Sequence, residues 1–194
     1  MVINMTKRLI VGISGASGAP IAVELLRALR NTEVESHLII SRGGEYTIPQ
    51  ETSLSVPQVR ALADTVYSLE DLGAGPASGT WESLGMAVVP CSMKTAAGIW
   101  SGYSDTLLLR AADVVLKERR RLVLTARESP LSTIHLRNLY ELSSMGAVIL
   151  PPVVSYYHRP QSPEDVTRHL VGKILDQFGI EAPGFCRWEG LHHD

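Results

Sequence analysis

Residues Arg8 to Pro20 read RLIVGISGASGAP, and the order of residue types in that stretch decides the fold. Leu9, Ile10 and Val11 favour a β-strand and lead into a turn carrying Gly12, Gly15 and Gly18. A helical pattern opens at Pro20, with Ile21, Leu25, Leu26 and Leu29 recurring at helical spacing. Proline belongs in the first turn of a helix, where its missing N–H costs nothing. Strand, glycine turn and helix N-terminus predict an α/β unit in which turn amides and a positive helix end face an anion. A tight turn that serves packing alone would read the same way.

The motif departs from the dinucleotide fingerprint G-x-G-x-x-G, which is followed about 20 residues later by an acid that holds a ribose. Here Ile13 stands in place of one glycine, the spacing is G-x-x-G-x-x-G, and Ser14 and Ser17 bring hydroxyls. The second predicted strand, Glu35 to Ser41, ends in Ser41-Arg42 and not in an acid. A hydroxyl-rich cradle without a ribose acid suits a phosphate monoester, such as that of FMN, better than a pyrophosphate. A nicotinamide dinucleotide phosphate held by Arg42 is the rival, and Ile13 argues against it.

Beyond this unit, apolar runs alternate with helical patterns almost to the end of the chain. Strands are expected at Leu9–Ile13, His37–Ser41, Met86–Val89, Leu122–Thr125 and Ala147–Leu150. Helices are expected at Pro20–Arg30, Val56–Ala63, Met93–Gly102, Leu107–Arg119, Thr133–Met145 and Pro163–Phe178. The alternation predicts a Rossmann/flavodoxin-like α/β fold: an open, mostly parallel sheet with helices on both faces. With 194 residues, 45% of them hydrophobic, residues 1–194 read as a single domain with a full core. The tail from about residue 180, rich in aromatics, is expected to dock on this subunit or a neighbour. A net charge of −2 gives no electrostatic case for nucleic acid or an anionic membrane. No apolar run approaches the ~20 residues of a membrane span, and MVINMTKR lacks the core of a signal peptide. Cys91 and Cys186 have no metal-like spacing and suit a reducing, cytoplasmic setting; the six His are scattered, His192-His193 reads as a frayed tail, and no metal site is expected.

In such a sheet ligands sit beyond the carboxyl ends of the strands, so the residues just after each strand are the candidates. These are Ser14 and Ser17 after the first, and Ser41, Arg42 and then Glu51 after the second. In VVPCSMKT, Pro90 is expected to stop the ladder and Ser92 to cap the next helix, with Lys94 and Thr95 in its first turn. Cys91 has no base nearby in sequence and reads as a packed thiol. The loop LGAGPASGT, Leu72–Thr80, is either a connector or a ligand contact through Ser78-Gly79. The apolar helix 107–119 carries Arg110, Asp113 and Lys117, read either as an ion-paired face with Asp113 bonded to Lys117 or as cations aimed at a phosphate. Arg127-Glu128 is either a loop salt bridge or a phosphate grip with a proton-handling acid. Ser162 begins the last helix, with Glu164 and Asp165 in its first turn, and Lys173 lies off the stripe Val166, Leu170, Ile174, Phe178.

The elements GISGASGA (12–19), ISR (40–42), QET (50–52), ASGT (77–80), PCSMKT (90–95), LLRAADVVLKERR (108–120), RESPLSTIHLRN (127–138), GAVILPP (146–152) and YYHRPQS (156–162) recur in that order and spacing along nearly the whole chain. In them the sequence resembles the UbiX-type flavin prenyltransferases, a family that includes the small companion proteins of phenolic acid decarboxylases. The resemblance implies an enzyme that joins the dimethylallyl group of dimethylallyl phosphate to N5 and C6 of reduced FMN, without a metal. Its product, prenylated FMN, would serve a UbiD-type decarboxylase of aromatic acids. By the same resemblance Gly15, Ala16, Ser17, Ser41, Ser92, Thr95, Arg110 and Arg127 would contact the flavin. Ser17, Glu51 and Glu128 would move protons. Lys117, Glu128, Tyr157, Lys173 and Trp188 would surround the donor and its phosphate. Lys173 stands where the family usually presents an Arg, which keeps the charge but loses the two-pronged grip. A large homo-oligomer is implied. The alternatives are an FMN-carrying accessory protein of a phenolic acid decarboxylase and an FMN-dependent cysteine decarboxylase.

Overall fold

Six parallel strands form one sheet in a computed structural model that describes residues 7–182, 184, 185, 187, 188 and 190. They are β1 (Lys7–Ile13), β2 (Val34–Ile40), β3 (Thr65–Tyr67), β4 (Gly85–Cys91), β5 (Arg121–Ala126) and β6 (Val148–Ile149), in the order β3-β2-β1-β4-β5-β6. The helices are α1 (Ala19–Leu29), α2 (Arg42–Glu51), α3 (Val56–Arg60), α4 (Met93–Trp100), α5 (Leu107–Lys117), α6 (Thr133–Ser144) and α7 (Pro163–Asp176). Cys186 and His192-His193 lie outside the described residues.

The alternation of side chains along β1 sends Leu9, Val11 and Ile13 into a core shared with α1 and α7, where Leu25, Leu26, Leu170 and Ile174 meet them. Ile10 faces the other way, into a core with Met86, Val88, Leu108, Val115 and Leu142. Both faces of the sheet are thus covered, which is why its strands read as apolar runs. The chain travels outward from β1 to β3, then returns to β4 and moves outward again to β6. That reversal opens a crevice beyond the carboxyl ends of β1 and β4.

One expectation is corrected, and two elements appear that the sequence pattern does not mark. Pro90 does not end the fourth strand's ladder. β4 runs to Cys91, which pairs with Ala126, and a register irregularity between Val88 and Cys91 accommodates the proline. The edge strand β3 has only three residues, too few to show a period. Helix α2 begins Arg42-Gly43-Gly44 and contains Pro49, a composition that argues against a helix. Packing overrides propensity here: a Cβ on Gly44 would lie 2.7 Å from the Ile13 carbonyl oxygen, and one on Gly43 would lie 2.9 Å from the Gly15 Cα. The Ser41 hydroxyl accepts from Gly44 N–H at 3.1 Å and caps the helix.

Gly85 opens β4 with φ +138°, and a Cβ there would sit 1.9 Å from the Arg121 carbonyl oxygen on the paired strand. Gly85→Ala is expected to cost about 3 kcal/mol, through left-handed strain and a backbone clash that no side-chain rotation relieves. Urea denaturation checks this, as a lowered midpoint at unchanged slope.

Candidate active site

The crevice is built first by Ser14, the residue that follows β1. Its hydroxyl donates to the Pro90 carbonyl at 2.8 Å and accepts from Ser92 N–H at 2.7 Å. Ser14 is fully buried, so it ties β1 to β4 and is not one of the ligand-facing hydroxyls the sequence suggests. The turn then leaves Gly15 and Ser17 exposed, with Ala16 buried between them.

Gly15 faces a cavity of about 580 Å³ that also takes in Ser41, Gly43, Ser92, Thr95 and Leu108. The N-termini of α2 and α4 converge on it, each with first-turn amides that have no partner within their own helix. Ser92 caps α4 by accepting from Thr95 N–H at 3.2 Å, and its hydroxyl donates to Thr95 Oγ1 at 3.0 Å. Arg42, Lys94, Glu70 and Asp105 complete the lining, with Arg42 3.5 Å from Glu70. A Cβ on Gly15 would lie 2.8 Å from Gly43 Cα, so only glycines let the turn and α2 close against each other here. Four residues assigned to the flavin, Gly15, Ser41, Ser92 and Thr95, line this one cavity. Its size, hydroxyls, open amides and flanking cations fit a flavin mononucleotide.

The N-terminus of α1 already holds an anion, and that anion is Glu51. Its Oε2 accepts from Gly18 N–H at 2.7 Å and Ala19 N–H at 2.9 Å. Burial raises the Glu51 pKa, but the Gly18 amide, the Ser17 hydroxyl, the Ala19 amide and the Arg127 charge together outweigh it and hold the carboxyl below its ordinary value. Glu51 is therefore ionised at neutral pH. Glu51 and Ser17 line a second cavity of about 860 Å³, with Pro20, Tyr156, Pro160 and Ser162, between α1, the 152–162 loop and α7. The two cavities meet at the glycine turn, Gly15 on one side and Ser17 on the other.

Arg127 and Glu128 are both exposed after β5. The Arg127 amide donates to the Cys91 carbonyl at 3.1 Å, and Glu128 Oε1 accepts from Ser129 N–H at 3.1 Å. Among the described residues they form no ion pair with each other, so the loop salt bridge is not made. Cys91 is buried, and burial pushes its thiol up to about 12, so it is the packed thiol its context suggests.

Arg110 Nη1 bonds Asp113 Oδ2 at 2.7 Å, and its Nε donates to the Ala77 carbonyl at 3.2 Å. Asp113 thus pairs with Arg110 and not with Lys117 as expected from the i,i+4 spacing. Lys117 instead bonds the Glu118 carboxylate, and both lie against Gly79. Lys117 ends α5 only four residues before β5 begins, which puts it at the amino edge of the sheet. Glu51 and Ser17 are at the carboxyl edge, so a single chain does not bring Lys117 to them. Arg120 donates to the carbonyls of Trp81 and Gly79, both at 2.7 Å, and fixes the loop beside Lys117.

Tyr157, Lys173 and Trp188 do come together. The Tyr157 and Trp188 rings are 5.7 Å apart and edge-on. At their centre is a residue that no sequence motif marks, His169, whose Nε2 is 3.1 Å from the Tyr157 hydroxyl. Burial, then the His158 and Lys173 charges, hold His169 below its ordinary pKa. The available signal was its position, three residues after Val166 on the packed face of α7 and one turn before Lys173.

The chain matches the Flavoprotein family over residues 3–175. It is 52% identical to the flavin prenyltransferase UbiX of Escherichia coli over 187 residues, 95% of this chain and 99% of that one. The structure of AnUbiX in complex with FMN and dimethylallyl pyrophosphate superposes with a TM-score of 0.95 at 49% identity, covering 97% of this chain and 100% of that one. A dodecameric FMN-dependent UbiX-like decarboxylase from Escherichia coli O157:H7 gives a TM-score of 0.92 at 51% identity, covering 94% and 100%. The FMN-dependent cysteine decarboxylase TvaF, at 15% identity and a TM-score of 0.64, shares the fold alone. With half its residues identical to UbiX proteins over nearly its full length, the chain belongs to the flavoprotein family, as one of its UbiX-like flavin prenyltransferases.

Proposed function

We propose that this protein transfers the dimethylallyl group of dimethylallyl phosphate to reduced FMN. The observation that carries the reading is the pair of cavities meeting at one glycine turn, one fitted to a flavin and the other walled by an ionised carboxylate. When bound, reduced FMN supplies the electron-rich N5 and C6 positions that become joined to the dimethylallyl carbons. The chain's own work is to hold the two guests in line and to meet the charge that develops. Gly15, Ala16, Ser41, Ser92, Thr95 and Arg127 hold the flavin. Ser17 and Glu51, hydrogen-bonded at the turn, would relay protons for ring closure. The inner alkene carbon of the dimethylallyl group gains a proton as its double bond is consumed by the new bond to C6. C6 gives one up, and the proton shed by N5 leaves to solvent. The allylic C–O bond breaks with its electron pair leaving on phosphate, and Glu128 hands that phosphate a proton.

The cations for the departing phosphate come from elsewhere. Because Lys117 is at the opposite edge of the sheet from Glu51, Lys117 is assigned to a site on a neighbouring copy, while Arg110, one turn into a helix whose first residues border the flavin cavity, stays with the flavin. A dodecameric relative supports such sharing. Tyr157, Lys173 and Trp188 form the remaining wall of the phosphate subsite. The product, prenylated FMN, goes to a UbiD-type decarboxylase, and the exchange takes place in the cytoplasm, where flavin is kept reduced. Among the described residues no helix is long and apolar enough to cross a membrane.

Anaerobic incubation of the protein with reduced FMN and dimethylallyl phosphate tests the transfer. Mass spectrometry of the released flavin is expected to show a dimethylallyl adduct, whereas unmodified FMN would leave the carrier reading in its place.

A further inference from the structure

We infer that His169 is a positioning residue for the phosphate subsite: it donates its Nε2 proton to the Tyr157 oxygen and thereby turns the phenol proton outward, toward the phosphate of the donor. This role rests on the transfer function proposed above, and it follows from a conflict of hydrogen-bond roles. A phosphate dianion only accepts hydrogen bonds. Tyr157 has one proton to give. If that proton points at His169, Tyr157 offers the phosphate nothing but lone pairs.

The geometry favours the opposite arrangement. His169 is 5% exposed, and its Nδ1 is buried with no partner among the described residues. The one polar contact of its ring among those residues is Nε2 to the Tyr157 hydroxyl, at 3.1 Å. Burial keeps the ring neutral at pH 7, so it has a single N–H to place. On Nδ1 that N–H would be an orphaned buried donor. On Nε2 it has the Tyr157 oxygen as acceptor. Unpaired buried N–H groups are rarer than unpaired acceptors, so the proton belongs on Nε2.

The surroundings fix the ring in that pose. His158 stacks on it at 4.2 Å with the planes 10° apart, and Phe185 covers it at 5.3 Å. Phe185 in turn fills the space over Gly172, where a Cβ would lie 2.2 Å from its ring. Lys173, one turn further along α7, is exposed and its charge acts on His169, the partner of the half-exposed Tyr157, so a phosphate meeting the phenol proton has a cation within one helical turn of His169. Asp165 and Arg168, from the first turns of α7, bond each other at 2.8 Å, and Arg187 pairs with Asp176, whereas Lys173, whose charge acts on His169, and Arg159, beside His158, form no ion pair among the described residues.

The test is a binding cycle that needs no turnover. The dissociation constant of dimethylallyl phosphate is measured by calorimetry on protein loaded with oxidised, unreactive FMN. Tyr157→Phe and His169→Leu are each expected to weaken binding about tenfold, the equivalent of one hydrogen bond. The double variant is expected to lose about the same tenfold, because His169 acts only through Tyr157. His169→Gln, whose amide can donate from the Nε2 position, is expected to bind within about twofold of the parent. Melting temperatures accompany each variant, so that a failure to fold is recognised. The inference is overturned if His169→Leu or Tyr157→Phe binds like the parent, if the two losses multiply to about a hundredfold, or if His169→Gln is as weak as His169→Leu. Failure of the anaerobic assay to yield an adduct would sink the transfer reading while leaving this cycle legible.

Discussion

Glu51→Gln is expected to lower turnover about 10²- to 10³-fold while leaving FMN binding near the parent value. The size is that of a lost general base, and the selectivity follows from geometry. Glu51 borders the 860 Å³ cavity and is absent from the lining of the flavin cavity. Glutamine can set its amide oxygen where Oε2 accepts from both amides at the head of α1 but removes both the charge and the proton acceptor. The fold cost is expected to be small, about 1 kcal/mol at pH 7, since the carboxylate is only partly buried and solvent screens it. Its pH dependence is informative. The folded protein holds Glu51 below its ordinary carboxyl value of 4.5, so its contribution is complete above that value and fades as pH falls through the lower, folded one. The stability gap between parent and variant should therefore close in acid, while the turnover gap persists at neutral pH. Single-turnover adduct formation and melting temperature across pH 3–8 measure the two. A variant with parental turnover would remove Glu51 from the chemistry.

The second large effect concerns Lys117. Lys117→Ala is expected to reduce kcat/KM for dimethylallyl phosphate at least about 10²-fold, the loss of a charge-assisted contact to a leaving group. Its location makes a sharper test available. Because Lys117 and Glu51 are at opposite edges of one sheet, a shared site draws them from different copies. Lys117→Ala and Glu51→Gln subunits, each nearly inactive alone, are then expected to regain activity when co-assembled. At equal mixing a site is intact only when a Lys117→Ala subunit supplies the glutamate and a Glu51→Gln subunit supplies the lysine. Random assembly makes about one quarter of the sites whole. Recovery to that fraction would establish sharing. Mixed assemblies no more active than their parents would mean that each chain uses its own Lys117, or none.

Much of this was legible along the chain because it is local. The β1–turn–α1 unit reads correctly from Leu9 to Leu29, since strand period, glycines and Pro20 all act within a few residues. Ser162 with Asp165 announces the start of α7 for the same reason, and the capping box forms. What local pattern hid was set by contacts across the fold. Nothing around Gly43-Gly44 indicates a helix until Gly15 and Ile13 are seen pressed against them. Ser14 looks like a ligand hydroxyl until Pro90 and Ser92, 76 and 78 residues away, take it up. Asp113 has two cations at helical spacing, and only the Ala77 carbonyl, by holding Arg110 in place, decides between them. His169 has no motif at all, and its meaning depends on Tyr157 and His158 folding back over α7.

The glycine turn carries one further consequence. Gly15 and Ser17 line different cavities with only Ala16 between them, so the points at which the turn anchors the two reactants are only a few bonds of main chain apart. One inserted residue would move the two anchoring points apart by up to about 3.5 Å, more than twice the length of the carbon–nitrogen bond that has to form between the guests where the cavities meet. Insertions here should be fatal to catalysis even in chains that still fold. The same change at the exposed Asp71–Gly73 bend would leave the reaction distance untouched.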